Sequence, residues 1–186
     1  MTRTMTLLGL TLLAAGILNI VGCSKPTVPK THPTPAILAL EQDAFDRVNA
    51  ERTAAGLSAL VMDEDLRAVA RAHSEDMVAR GFFAHVNPDG RNPFQRMGAA
   101  GLKYVSAGEN IAMNNFANAA QKAVEGWMAS PPHRANILHT QFNHTGMGIA
   151  VSSTGVYYFT QDFIGTEAKS GEKPVFDYSE PLAITK

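Results

Sequence analysis

The chain has 186 residues, 45% of them hydrophobic, with 16 Lys+Arg against 17 Asp+Glu and a single cysteine. A net charge of −1 lacks both the basic excess of a nucleic-acid binder and the charge imbalance of a disordered tail, so no nucleic-acid partner is expected. One cysteine allows no intramolecular disulfide and no thiolate zinc cluster, which leaves a near-neutral domain with enough apolar residues for its own core.

In chain order, residues 1–22 read as a lipoprotein signal peptide. Arg3 supplies the positive start, and the uncharged run Leu7–Leu18 is too short for a membrane span, which needs about 20 apolar residues. Ile20-Val21-Gly22-Cys23 resembles a bacterial lipobox, with Ile where Leu is commoner. That resemblance implies cleavage before Cys23 and a diacylglycerol on its thiol, so the membrane is an expected partner through lipid on Cys23. More than one acyl chain makes such anchoring stable, each buried CH2 adding about 0.8 kcal/mol. Ser24, rather than aspartate, favours the outer membrane if the cell has one. The alternative is an uncleaved anchor over residues 5–22. Residues 23–36, with Pro26, Pro29, Pro33 and Pro35, read as a polyproline-II tether of about 3.1 Å per residue, roughly 40 Å of stand-off.

A domain is expected over residues 37–165. Thr34-Pro35 starts a helix with Leu40, Ala44, Val48 and Ala55 on one face, closed by Gly56. Asp63 caps a second, carrying Leu66, Val69, Ala70, His73 and Met77 at helical spacing to Gly81. Asn87-Pro88-Asp89-Gly90 is a turn. Asn92-Pro93 opens a short helix to about Ala100, and residues 102–117 show no period. A third long helix is expected from Asn118 to Ser130, ended by Pro131-Pro132. Met147, Ile149 and Val151 alternate with small residues ahead of Ser153-Thr154-Gly155, and 156–164 returns as the second strand of a hairpin. Leu57–Met62 is a candidate edge strand. Residues 166–186 form a polar tail in which Val175, Phe176 and Tyr178 could dock back. Helices followed by a hairpin, without alternating β-α units, indicate an α+β fold.

Several blocks stand in order along this domain: Asn49-Ala50-Glu51-Arg52; His73-Ser74-x-x-Met77; Phe82-Phe83-Ala84-His85; Gly108-Glu109-Asn110-Ile111; Trp127 to Leu138; Gly146-Met147-Gly148; and Thr160-Gln161-Asp162-Phe163. Together they resemble the CAP superfamily of cysteine-rich secretory proteins, venom antigens, plant pathogenesis-related proteins and bacterial secreted relatives. The resemblance implies an α-β-α sandwich with a small antiparallel sheet between helices. It also implies a cleft where two histidines and two glutamates converge. His85, Glu109 and His133 match three of those positions, and the fourth falls on Ser130.

Two imidazoles and a carboxylate are the ligand set of catalytic zinc sites, so Zn2+ or another divalent metal on His85, Glu109 and His133 is expected as a hypothesis. The same trio without metal suits acid/base work, and these three are the catalytic candidates. Ser130, Asn110, Gln161 and Asp162 are candidates to orient them. Each has a plainer alternative. Glu109 could bond its own loop, and His133 could cap the third helix, while His85, ahead of a turn, is expected to be exposed in the cleft. His73, on an apolar stripe, is expected as a hydrogen-bonded core residue; His139 and His144 as solvated; Trp127, Tyr157, Tyr158 and Phe159 as packing. A Ser130–His133 nucleophile is disfavoured by the intervening prolines. The preferred function is a lipid-anchored, extracytoplasmic binding module of the envelope, its ligand a lipid, peptide or envelope polymer. The alternatives are a metal-dependent hydrolase acting on peptide or envelope polymer, and a structural or antigenic surface protein with an inert cleft.

Overall fold

The computed structural model describes residues 33–167, 171, 173, 175–178 and 181–183. The expected signal peptide, Cys23 and most of the expected tether lie outside the described residues. Among the described residues, no helix is long and apolar enough to cross a membrane.

The first helix, α1 (Pro35–Ala54), starts where Thr34 accepts the amide of Ile37. Its inward stripe is Glu41, Ala44, Val48 and Arg52, so it ends on a buried arginine rather than on Ala55. Strand β1 (Val61–Met62) confirms the edge strand and runs parallel to β3 (His144–Val151). Helix α2 (Glu64–Arg80) is capped by Asp63 and left through Gly81 at φ 65°, a backbone angle that glycine adopts without penalty. The short helix α3 (Pro93–Ala99) opens on a reciprocal Asn92–Gln95 capping box, which satisfies two otherwise orphaned amides.

The aperiodic stretch becomes β2 (Ser106–Asn114), an inner strand of the sheet between β4 (Tyr157–Gly165) and the tail strand β5 (Phe176–Tyr178). It is buried along nearly its whole length, which erases the alternation that marks a half-buried strand. The order is β1-β3-β4-β2-β5, with β6 (Leu182–Ala183) also on β2. The expected antiparallel sheet is therefore mixed: β3-β4-β2 is antiparallel, and β1, β5 and β6 add in parallel.

Helices cover both faces, giving the α+β sandwich. On one face α1, α4 (Ala119–Ala129) and α5 (Pro131–Ile137) enclose Trp127, Phe142, Met147, Ile149, Phe159 and Phe163. On the other, Leu66 of α2 and Met97 of α3 meet Ala107 and Ile164. Helix α2 lies directly on the backbone of β3. A Cβ at Gly146 would stand 2.3 Å from the carbonyl carbon of Leu66, and one at Gly148 2.0 Å from the amide nitrogen of Arg71. Glycine is the residue that permits this approach.

Polar anchors lock the layers. Arg52 donates to the carbonyls of Ser58, Ile137, His139 and Phe142, and Asn49 exchanges two hydrogen bonds with the backbone of Leu60. Glu41, fully buried, accepts from Arg67, Arg71 and the amide of Ile149 on β3. Buried charges are tolerated when compensated in this way.

Candidate functional site

The residues 82–85 that follow α2 turn inward. Burial pushes the His73 imidazole down to about 4, so the ring is neutral, and its Nε2 donates to the carbonyl of Ala84 at 3.0 Å. That bond, the expected core role for His73, fixes the approach to His85. Arg96 on α3 donates to the carbonyl of His85 at 2.6 Å. His85 is consequently 4% exposed, which corrects the expectation of an open loop histidine.

Glu109, from the middle of β2, points to the same α2–α3 face. One carboxylate oxygen accepts from His85 Nδ1 at 2.6 Å and the other from Arg96 Nη2 at 2.5 Å. Both oxygens are thus spent on side chains, and none of these bonds serves its own loop. Burial pushes the Glu109 carboxyl up, but the Arg96 charge and the His85 hydrogen bond outweigh it and hold it at about 2. An ionised carboxylate can only accept, so His85 carries its proton on Nδ1 and directs Nε2 away from Glu109. Asp162 pairs with Glu109 in the β2–β4 register. Burial, then the charge of Glu109, push its pKa well above the ordinary range, which favours the protonated form.

The remaining candidates gather on the other face of β2, since adjacent strand residues point oppositely. Pro131-Pro132 ends α4 as expected but also begins α5, where proline's missing amide costs nothing. His133 therefore sits in the first turn of α5 and does not cap α4. Its Nδ1 pairs with Ser130 Oγ at 2.8 Å. Asn110 donates to the His133 carbonyl at 3.0 Å and accepts from Asn136 at 3.0 Å, stitching α5 to the strand one residue past Glu109. Gln161 donates to Thr145 on this second face. His85 and Glu109 are in direct contact, whereas His133 joins the strand through Asn110. The Ser130–His133 contact forms across the two prolines, yet the acid and the serine stand on different imidazoles, unlike a relay in which one histidine bridges both.

With both Glu109 oxygens engaged, the His85/Glu109/His133 set does not form a three-ligand centre. Among the described residues, no group of three His, Cys, Asp or Glu side chains is placed to hold a metal. What the donor chemistry does fit is imidazole ligation with Glu109 behind it, because metal-bound histidines commonly donate their other N–H to a carboxylate. His139 instead packs on Phe142 at 4.9 Å, and His144 opens β3.

Two site residues escaped the sequence. Arg96 lies on a helix only seven residues long, with no spacing to set it apart from a solvated arginine. Tyr178, whose ring lies 5.0 Å from His85, comes from the tail and was legible only as a residue able to dock.

The family model described as CAP, cysteine-rich secretory protein family, matches residues 45–163. The chain belongs to the CAP family. This CAP chain is 37% identical over 156 residues to uncharacterized protein YkwD of Bacillus subtilis (strain 168), covering 82% of this chain and 59% of that protein. Over 124 residues it is 36% identical to uncharacterized membrane protein YlbC of the same organism, 67% of this chain and 34% of that one. The CAP chain thus spans only part of the length of these relatives. A crystal structure of an extracellular protein containing a SCP domain, from Bacillus anthracis, aligns with a TM-score of 0.63 at 31% identity, over 72% of this chain and 45% of that one. An outer surface protein from Borrelia burgdorferi aligns with a TM-score of 0.63 at 18% identity, over 69% of this chain and 94% of that one, and there the likeness is one of fold.

Proposed function

We propose that this CAP protein works outside the cytoplasm as a lipid-anchored binding module of the cell envelope, with His85, Glu109 and Arg96 as its recognition centre. One observation carries the reading: a buried, ionised carboxylate holds His85 by Nδ1 while Arg96 balances its charge. Such an arrangement fixes the orientation of the imidazole at low reorganisation cost. The placement is supported by the 31%-identical relative named as an extracellular protein and by the lipobox-like residues ending at Cys23.

A binding role fits the geometry better than hydrolysis, since Glu109 orients His85 while the serine pairs with His133. A divalent ion at this centre would be held by the His85 imidazole, with Glu109 orienting rather than ligating, and would supply Lewis-acid polarisation of a bound carbonyl. The test is calorimetric titration of the full chain in detergent with Zn2+, wild type beside His85→Ala. One-to-one binding that disappears in His85→Ala supports the centre, and equal heats from both chains overturn the role given to His85. The anchor is checked by mass spectrometry of the membrane fraction. An acylated N-terminus at Cys23 is expected, and an intact Met1 contradicts it.

A further inference from the structure

The first strand of the tail, β5, lies on the site just described. β5 pairs in parallel with Ala107, Gly108 and Glu109 of β2, the residues that lead into the His85 contact. Its main chain is read at several points. The amide of Ala107 donates to the Val175 carbonyl at 2.8 Å, and the Gln141 side chain donates to the Lys173 carbonyl at 2.6 Å. A Cβ on Gly108 would stand 3.1 Å from the Asp177 carbonyl oxygen and 3.0 Å from the Phe142 ring, so this glycine leaves room for an extended backbone. Side chains two residues apart then meet a platform of rings: Phe176 against Phe94 at 5.5 Å, and Tyr178 against His85 at 5.0 Å and Phe94 at 5.9 Å.

The receiving side is part of the buried domain, with His85, Ala107, Glu109 and Gln141 all inside. The occupant is not. Phe176 is 53% exposed and Tyr178 39%, and the strand is only three residues long, too little to be held by burial of its own. Main-chain pairing at a sheet edge, with alternate side chains setting preference, is the chemistry of strand addition.

We infer that the β2 edge beside His85 is a docking groove for an extended peptide carrying aromatic side chains two residues apart, and that residues 175–178 of this chain occupy it as a built-in competitor. The inference rests on the binding-module reading above and names its ligand class. A tethered tail acts at millimolar-scale effective concentration, so an outside peptide must displace it, and its apparent affinity falls by the fraction of grooves left open.

The test is fluorescence anisotropy with a labelled synthetic peptide of residues 171–183, titrated with the full chain in detergent. The Phe176→Ala/Tyr178→Ala chain is expected to bind the peptide about tenfold or more tightly than wild type, and a peptide with alanine at both positions is expected not to bind. Equal affinities for the two chains, no binding to the double variant, or equal binding of the alanine peptide overturns the inference. So does a double variant that no longer folds by circular dichroism, since β5 would then be an obligatory strand. The outcome separates from the zinc titration. Peptide binding without a His85-dependent metal heat removes only the role of His85, and the reverse removes only the groove.

Discussion

The Glu109 carboxylate is fully buried between two partners, His85 and Arg96, so removing one charge strands the other. Glu109→Gln leaves the Arg96 guanidinium uncompensated, and Arg96→Met does the same to the carboxylate. Each is expected to cost about 3 kcal/mol, with the double substitution costing less than the sum; denaturant unfolding of the four chains measures the cycle. The sign of the pH response differs among these groups. Glu109, held at about 2, contributes stability that is present above the ordinary carboxylate range and lost as pH falls toward 2. His73, held neutral down to about 4 against an ordinary 6.5, contributes stability that is lost as pH falls from 6.5 to 4. Asp162, with its pKa raised, acts oppositely, because the unfolded chain releases a proton that the folded one retains, so its contribution declines as pH rises above the ordinary carboxylate value. Asp162→Asn is therefore expected to be more stable than wild type at pH 7. Its stability should also rise more steeply between pH 4 and 6.5, as unfolding at pH 4.5, 5.5 and 7 would read.

At the scale of elements, the tightest constraint is α2 lying on β3. Gly148→Ala forces a methyl group against the backbone at Arg71, where nothing flexible can yield, and is expected to cost at least about 3 kcal/mol. A melting temperature equal to wild type would show that the helix is not seated there. Most helices were legible because their ends carry local chemistry: Thr34, Asp63 and Asn92 cap where the sequence placed them. β2 was not, since a strand buried on both faces has no alternation, and the Gly108-Glu109-Asn110 block that marks the site sits inside it. The double role of Pro131-Pro132 was half legible, because proline that stops one helix is equally suited to start the next. Of the site, His85 and Glu109 could be named by their blocks, but their contact is set by α3 and the sheet. Arg96 carries no local signal of its part.

At the scale of the whole molecule, the CAP domain stabilises itself without a disulfide, through the buried Arg52 and through the partly buried Arg67 and Arg71 paired with the buried Glu41. The site lies where α2, α3 and the tail meet on β2, so recognition and tail docking share Glu109, which pairs with Tyr178 in the β2–β5 register. The account depends on His85 being held by an ionised Glu109, and imidazole nitrogen NMR on the full chain in detergent reads this directly. At pH 7 the account predicts a His85 ring protonated on Nδ1, with that signal lost or exchanging rapidly in Glu109→Gln. A ring protonated on Nε2, or the same averaged signal in both chains, would contradict it.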